Sequence, residues 1–278
     1  MNESADVAVA HLVRAGNDAR TVERFVESYE RFPAGARHAL IFLLKGFGSN
    51  APPSDILAVM NRVPHHKIDC PDEGYDIGTY LLAAKALNQN SLVFTNSFAR
   101  FRTDDWLRKL LDAYHCPGVG LVGATGSWES MPATALRFGA TEMNLGGRLA
   151  AFGAAPLLFS LFPGFPNPHV RTNGFLVGRD DFLALRTRPP RNKLDAWMFE
   201  SGRHSMTRQI IASNRRVLLV GRDGSAYETM DWNQSGTFWQ AQQENLLLAD
   251  NRTEAYAIGG PPIRQHLSRL AWGASGKP

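Results

Sequence analysis

The sequence predicts an α/β protein: an open, mostly parallel central sheet flanked by helices, with a helical N-terminus and an extended C-terminal tail. Two observations predict it. Short apolar runs of strand length alternate with amphipathic stretches of roughly 10 to 12 residues, the pattern of repeated strand–helix units. The chain is also long enough, at 278 residues with 44% hydrophobic and 20% charged, to bury one large core or two small ones.

Taken in order, Val22, Phe25, Val26, Tyr29 and Phe32 recur at spacings of three and four and make one apolar helical face. The first 35 residues are therefore expected to be helical, up to the break at Pro33-Ala34-Gly35. HALIFLLK (38–45) reads as a strand, GFGSNAPP as a loop, and PSDILAVMNR as a helix with Ser54 as N-cap. The unit repeats as HHKIDC (65–70), PDEGYD and IGTYLLAAKALN, then as SLVFTN (91–96), FARFRT and DDWLRKLLDAY, with GVGLVGA (118–124) as the next strand. Regularity fades between 125 and 170, where LFSLFPGFPNPH reads either as a substrate-covering loop or as a packed helix followed by a Pro-rich connection. NGFLVG (173–178) and RRVLLVG (215–221) are the last strands. The aromatic, amide-rich tail from Asp223 onward is expected to wrap the domain, giving a division into 1–35, 36–222 and 223–278.

Composition narrows the function. Thirty Lys and Arg against 26 Asp and Glu give +4, but the basic residues are scattered, which argues against nucleic acid as a partner. No apolar run reaches 18 residues, and MNESADVAVAH opens on an acidic residue, so neither a spanning helix nor a secretory signal is expected and a cytoplasmic location is. Peripheral membrane contact stays open. Cys70 and Cys116 cannot supply a disulfide scaffold or a CxxC site. Phosphate-loop, nucleophile-elbow and zincin motifs are all absent.

In an open parallel sheet, ligands collect beyond the carboxyl ends of the strands. The richest loop there runs from Asp69 to Tyr80, with acidic, aromatic and glycine residues together. Carboxylates such as Asp72 and Asp76 suit a ribose or a base edge, with a ring stacked nearby. The alternative for Asp76 is an N-cap for the helix that follows. Asp250-Asn251-Arg252-Thr253 reads as a turn, or as a segment bringing Arg252 back to the site.

The order of Leu44-Lys45-Gly46-Phe47, of Glu73-Gly74-Tyr75-Asp76-Ile77-Gly78-Thr79-Tyr80, and of SLVFTNSF resembles GT-A-fold glycosyltransferases. The flavour is that of bacterial family-2-like and rhamnan-synthesis-like enzymes of polysaccharide biosynthesis. Asn173-Gly174-Phe175-Leu176-Val177-Gly178-Arg179 resembles their acceptor-side strand, and Trp197-Met198-Phe199-Glu200-Ser201-Gly202-Arg203 falls where they place the catalytic acid. The likeness spans roughly residues 36–222.

The resemblance implies a hexosyltransferase-type enzyme that moves a sugar from a nucleotide-sugar donor to a glycan, lipid-linked or other hydroxyl acceptor. It further implies inversion with Glu200 as general base, and a donor site of Lys45, Asp72, Tyr75, Asp76, Thr95, Asn96 and Ser97. The alternative for Glu200 is an ion pair with Arg203 or Arg208. One departure stands out: the family's Asp-x-Asp is replaced by Thr95-Asn96-Ser97. Neutral groups hold a hard cation weakly, so no metal-ligating residue is expected and at most a weakly bound Mn²⁺ or Mg²⁺ accompanies the nucleotide. Three explanations stay open: Lys45, with Arg100, Arg102 or Arg171, meets the leaving-group charge; the donor is not a nucleoside diphosphate; or catalysis has been lost. The competing expectation is a non-catalytic nucleotide- or sugar-binding module on the same fold.

Overall fold

The computed structural model describes residues 6–141, 153 and 156–273. Its twelve strands are β1 (Val7–Arg14), β2 (Ala39–Lys45), β3 (His66–Cys70), β4 (Ser91–Thr95), β5 (Arg100–Phe101), β6 (Val119–Gly123), β7 (Gly126–Ser127), β8 (His169–Val170), β9 (Gly174–Gly178), β10 (Arg216–Val220), β11 (Ala226–Glu228) and β12 (Leu248–Ala249). Eight of them form one sheet in the order β11-β10-β6-β9-β4-β1-β2-β3. β3, β2, β1 and β4 run parallel, as do β6 and β10. β9 is antiparallel to both its neighbours, and β11 to β10. Two small ladders, β5 with β12 and β7 with β8, lie outside the main sheet.

The expected α/β class with an open, mostly parallel sheet is the one observed. The six runs read as strands, at 38–45, 65–70, 91–96, 118–124, 173–178 and 215–221, all fall in the main sheet. The N-terminus needs correction. Helix α1 occupies Ala19–Arg31, capped by the Asp18 side chain and burying Val22, Phe25 and Val26 as the spacing predicts. Residues 7–14, however, form β1, which lies between β2 and β4 and ties the N-terminal segment into the same sheet as 39–45. The physical reason is burial on both faces. Ala8, Ala10 and Leu12 join the core on one side, while Val7, Val9 and Val13 join the core against α1 on the other. A strand covered on both faces shows no alternation, and an apolar run of this length does not by periodicity declare itself strand rather than helix.

Helices α2 (Ser54–Met60), α3 (Tyr75–Ala86), α4 (Trp106–Tyr114) and α5 (Met131–Thr141) follow in order. Pro53, not Ser54, is the N-cap of α2. The covering-loop reading of 125–170 falls partly on residues 142–152 and 154–155, which lie outside the described residues; 156–161 are helical. Beyond β9 come α6 (Arg179–Leu183), α7 (Lys193–Ser201), α8 (Met206–Ala212), α9 (Asn251–Ile258) and α10 (Pro261–Trp272). The described part of the tail, from Asp223 to Gly273, carries β11, β12, α9 and α10 rather than extended chain. It buries Trp232, Phe238, Trp239, Tyr256 and Trp272 in the core, and Trp272 Nε1 donates to the Phe238 carbonyl at 2.7 Å. Cys70 and Cys116 are free thiols.

Candidate active site at the carboxyl edge of the sheet

β1, β2, β3 and β4 all end at one edge, and the antiparallel β9 begins there, with Gly174 paired to Thr95. The loops that bear the expected residues therefore emerge side by side. Lys45, the last residue of β2, is buried at 2% relative exposure. Its ammonium donates to the carbonyls of Pro71 at 3.2 Å and Glu73 at 2.7 Å, and lies 3.8 Å from Asp72 Oδ1. Lys45 thus pins the loop that follows β3. Desolvation lowers its pKa, and the charges of Asp72 and Asp76 oppose that fall. The chain turns at Gly46 (φ +82°), where a Cβ would meet the Asp72 carboxylate, and enters α3 through Gly74 (φ +72°), where a Cβ would press on the Gly78 backbone at 2.9 Å.

Asp76 lies in the first turn of α3, and Gly74 is the cap, so the N-cap alternative for Asp76 is not what the structure shows. Burial raises the Asp76 pKa and the charge of Glu200 adds to the rise, while Arg14 and Lys45 pull it down. Four charged groups from β1, β2, α3 and α7 therefore share one electrostatic neighbourhood. Asp72 is 73% exposed, and its contact with Lys45 is of the surface kind, worth under about 1 kcal/mol. Tyr75 is also exposed.

Thr95, Asn96 and Ser97 reach the same edge with different fates. Thr95 is fully buried, and its hydroxyl is 3.0 Å from Nδ1 of His11 on β1, inside the core against α1. Ser97 is buried as well. Only Asn96 is part-exposed, and its Oδ1 accepts from the Phe98 amide at 3.1 Å. A carboxylate-poor stretch with one residue turned into the core does not fit a divalent cation. Among the described residues, no three His, Cys, Asp or Glu side chains gather to hold a metal ion.

Glu200 stands near the end of α7. Its Oε2 accepts from the Thr172 amide at 3.0 Å and from the Thr172 hydroxyl. It has no ion pair among the described residues; Arg203 instead donates to the Phe159 carbonyl and Arg208 to Asn167 Oδ1. Glu200 lines a pocket of 330 Å³ together with Arg171, His169, Trp197, Trp239 and Arg252. Arg171 is fixed there by Asp250 at 2.9 Å and stacks 4.2 Å over the Phe238 ring. Asp250 and Thr253 form a capping box at the start of α9, and Arg252 in the same segment lines the pocket. Arg100 and Arg102 do not join this group; they line a separate groove beside α1. Sequence reasoning missed Arg14, hidden in the unassigned β1, and Phe238 and Trp239, which reach the site only through tertiary closure of the tail.

Two measurements probe this geometry. Lys45→Met should destabilise the protein by about 2 kcal/mol, since the loop after β3 loses two charge-assisted hydrogen bonds from the buried Lys45, and a urea midpoint equal to wild type would deny the pin. Asp76→Asn should stabilise the protein at pH 7. A raised carboxyl pKa means the folded state holds its proton more tightly, so stability is fullest below the unfolded value and declines as pH rises through the folded one. The gain should vanish in acid; a gain independent of pH would assign it to something other than the buried charge.

No family model matches the chain, and no curated protein does. Among solved structures, a mannosyltransferase of Pyrobaculum calidifontis in complex with GDP-Man and Mn²⁺ shows 12% identity over 97% of this chain and 69% of its own, at a TM-score of 0.49. A glucosyl-3-phosphoglycerate synthase of Mycobacterium tuberculosis, with Mn²⁺ and UDP, shows 15% identity over 70% of this chain and 64% of its own, at 0.42. Core-mannan synthase A of Aspergillus fumigatus shows 11% identity over 70% and 63%, at 0.41. With TM-scores below 0.5, these likenesses carry no chemistry over to this chain.

Proposed function

We propose that the protein is a GT-A-type glycosyltransferase that moves a sugar from a nucleoside-diphosphate sugar to a hydroxyl acceptor with inversion. The observation that carries this is the convergence of Arg14, Lys45, Asp76 and Glu200 at the carboxyl edge of the sheet, beside an aromatic pocket. Glu200, held by Thr172, takes the acceptor hydroxyl proton. The freed oxygen forms its bond to the anomeric carbon while the bond from that carbon to the diphosphate breaks, and the nucleoside diphosphate leaves with the electron pair. Asp76 accepts from the nucleoside, and Tyr75 and Asp72 at the open side of the same loop complete the donor contacts with Asn96. Because Lys45 spends its donors on the loop, Arg14 is the cation that meets the diphosphate. Thr95 and Ser97 act by shaping the strand end.

Trp197 and Trp239 offer ring faces to a glycan acceptor. Leu157, Phe159 and Phe165 are exposed on the neighbouring segment and suit the lipid of a lipid-linked one. Among the described residues, no helix is long and apolar enough to cross a membrane. A cytoplasmic setting in bacterial polysaccharide synthesis belongs to the same proposal, as do little dependence on divalent cations and no role for nucleic acid.

The neutral Thr95-Asn96-Ser97 favours a second reading, a nucleotide- or sugar-binding module without turnover. Incubation with radiolabelled UDP- and GDP-sugars, with Mn²⁺ and with chelator, separates the two. Transfer or hydrolysis that survives the chelator supports the enzyme. Thermal stabilisation by the nucleotide sugar with no turnover supports the module.

A further inference from the structure

A groove of 490 Å³ runs along α1, away from the Glu200 pocket, and is lined by Arg20, Arg24, Arg31, Arg100, Arg102 and Arg222. They come from three places in the chain: α1, the β5 segment and the turn after β10. Three of them are ion-paired. Arg20 pairs with Glu23 and Glu27, and Arg24 and Arg100 share Glu254 at 3.5 and 3.3 Å. The other three, Arg31, Arg102 and Arg222, are exposed and have no ion pair among the described residues. Arg31 instead lies 5.2 Å over the Phe32 ring. The fold thus brings three guanidinium groups without an ion pair among the described residues to one concave surface.

Guanidinium forks match phosphate oxygens in pairs, and a concave basic surface concentrates anions. We infer that this groove binds a compact ligand carrying two or more phosphate groups, free or as a lipid headgroup. Arg31, Arg102 and Arg222 grip it from three sides, while Arg24 and Arg100 supply a second rank of charge behind Glu254. The groove shares no residue with the pocket around Glu200, so its occupancy is independent of the transferase reading.

Calorimetric titration of the full chain with inorganic tripolyphosphate tests this, run beside flotation with phosphatidylcholine vesicles made with and without phosphatidylinositol bisphosphate. R31A/R102A/R222A should weaken tripolyphosphate binding at least about tenfold, because charge-assisted pairs are lost. R31K/R102K/R222K should recover part of it, since it keeps charge without the fork. Should the triple alanine variant fold poorly, Arg102→Glu alone should show the same direction of loss. Soluble binding without flotation assigns a free ligand, and phosphoinositide-dependent flotation abolished by the same substitutions assigns a headgroup; either supports the groove. Equal affinity in wild type and R31A/R102A/R222A, or no binding of either probe to wild type, overturns it.

Discussion

Replacing Glu200 by Gln should lower the rate of sugar transfer by about 10²- to 10⁴-fold, the range that a positioned general base contributes, with the affinity for the nucleotide sugar left close to wild type. Glutamine keeps the shape and keeps an oxygen to accept from the Thr172 amide, so the segment between β8 and β9 stays in register with α7. What it loses is the capacity to take a proton. Because the Glu200 charge is one of the influences that raise the Asp76 pKa, the substitution should also ease ionisation of Asp76, a change that NMR titration of the carboxyl would read. Turnover at the wild-type rate would mean that the acceptor proton goes elsewhere. A parallel loss of donor affinity would mean that Glu200 binds rather than catalyses.

The strand–helix order of residues 38–124 was legible because each strand is bounded by loop residues and followed by a one-sided helix, so the two periodicities separate cleanly. That order alone placed Lys45, Asp76 and the end of β4 at one edge, since parallel strands present their carboxyl ends together. β1 was not legible, because burial on both faces erases alternation, and Arg14 was lost with it. The direction of Thr95 was equally hidden. A strand-end residue points to one face or the other by parity, and both faces here are core, so nothing in SLVFTN says that Thr95 turns toward His11 rather than toward a ligand. Asp72 shows a different limit: a carboxylate in a loop is drawn to a nearby lysine or left in water according to a few ångströms of loop path, which Gly46 and the buried Lys45 set. The Phe238 and Trp239 wall of the Glu200 pocket depends on the tail folding back after β10 ends at Val220, a step that local pattern does not encode.

His11 should make the protein acid-sensitive through a single residue. The ring is fully buried in β1, stacked 3.5 Å on Phe25 and bonded through Nδ1 to Thr95, and its Nε2 has no hydrogen-bond partner. Burial lowers its pKa from 6.5 to about 3. A depressed histidine pKa means that the unfolded chain takes up the proton first. The neutral ring's contribution is therefore intact above pH 6.5 and is lost as pH falls toward 3. The slope approaches about 1.4 kcal/mol per pH unit, so that roughly 2 kcal/mol should disappear between pH 7 and 5. Urea unfolding across that interval, wild type against His11→Phe/Thr95→Val, isolates the residue. The pair removes the titrating ring and also the hydroxyl that would otherwise be left unsatisfied in the core. The double variant should lose that part of the acid slope, and identical slopes would show that His11 titrates alike folded and unfolded. Because Thr95 opens the Thr95-Asn96-Ser97 stretch and bonds to His11, the cost of charging the buried ring falls at the end of β4. Loss of ligand binding should then precede global unfolding as the pH is lowered, and simultaneous loss would show that β4 holds its position until the whole sheet gives way.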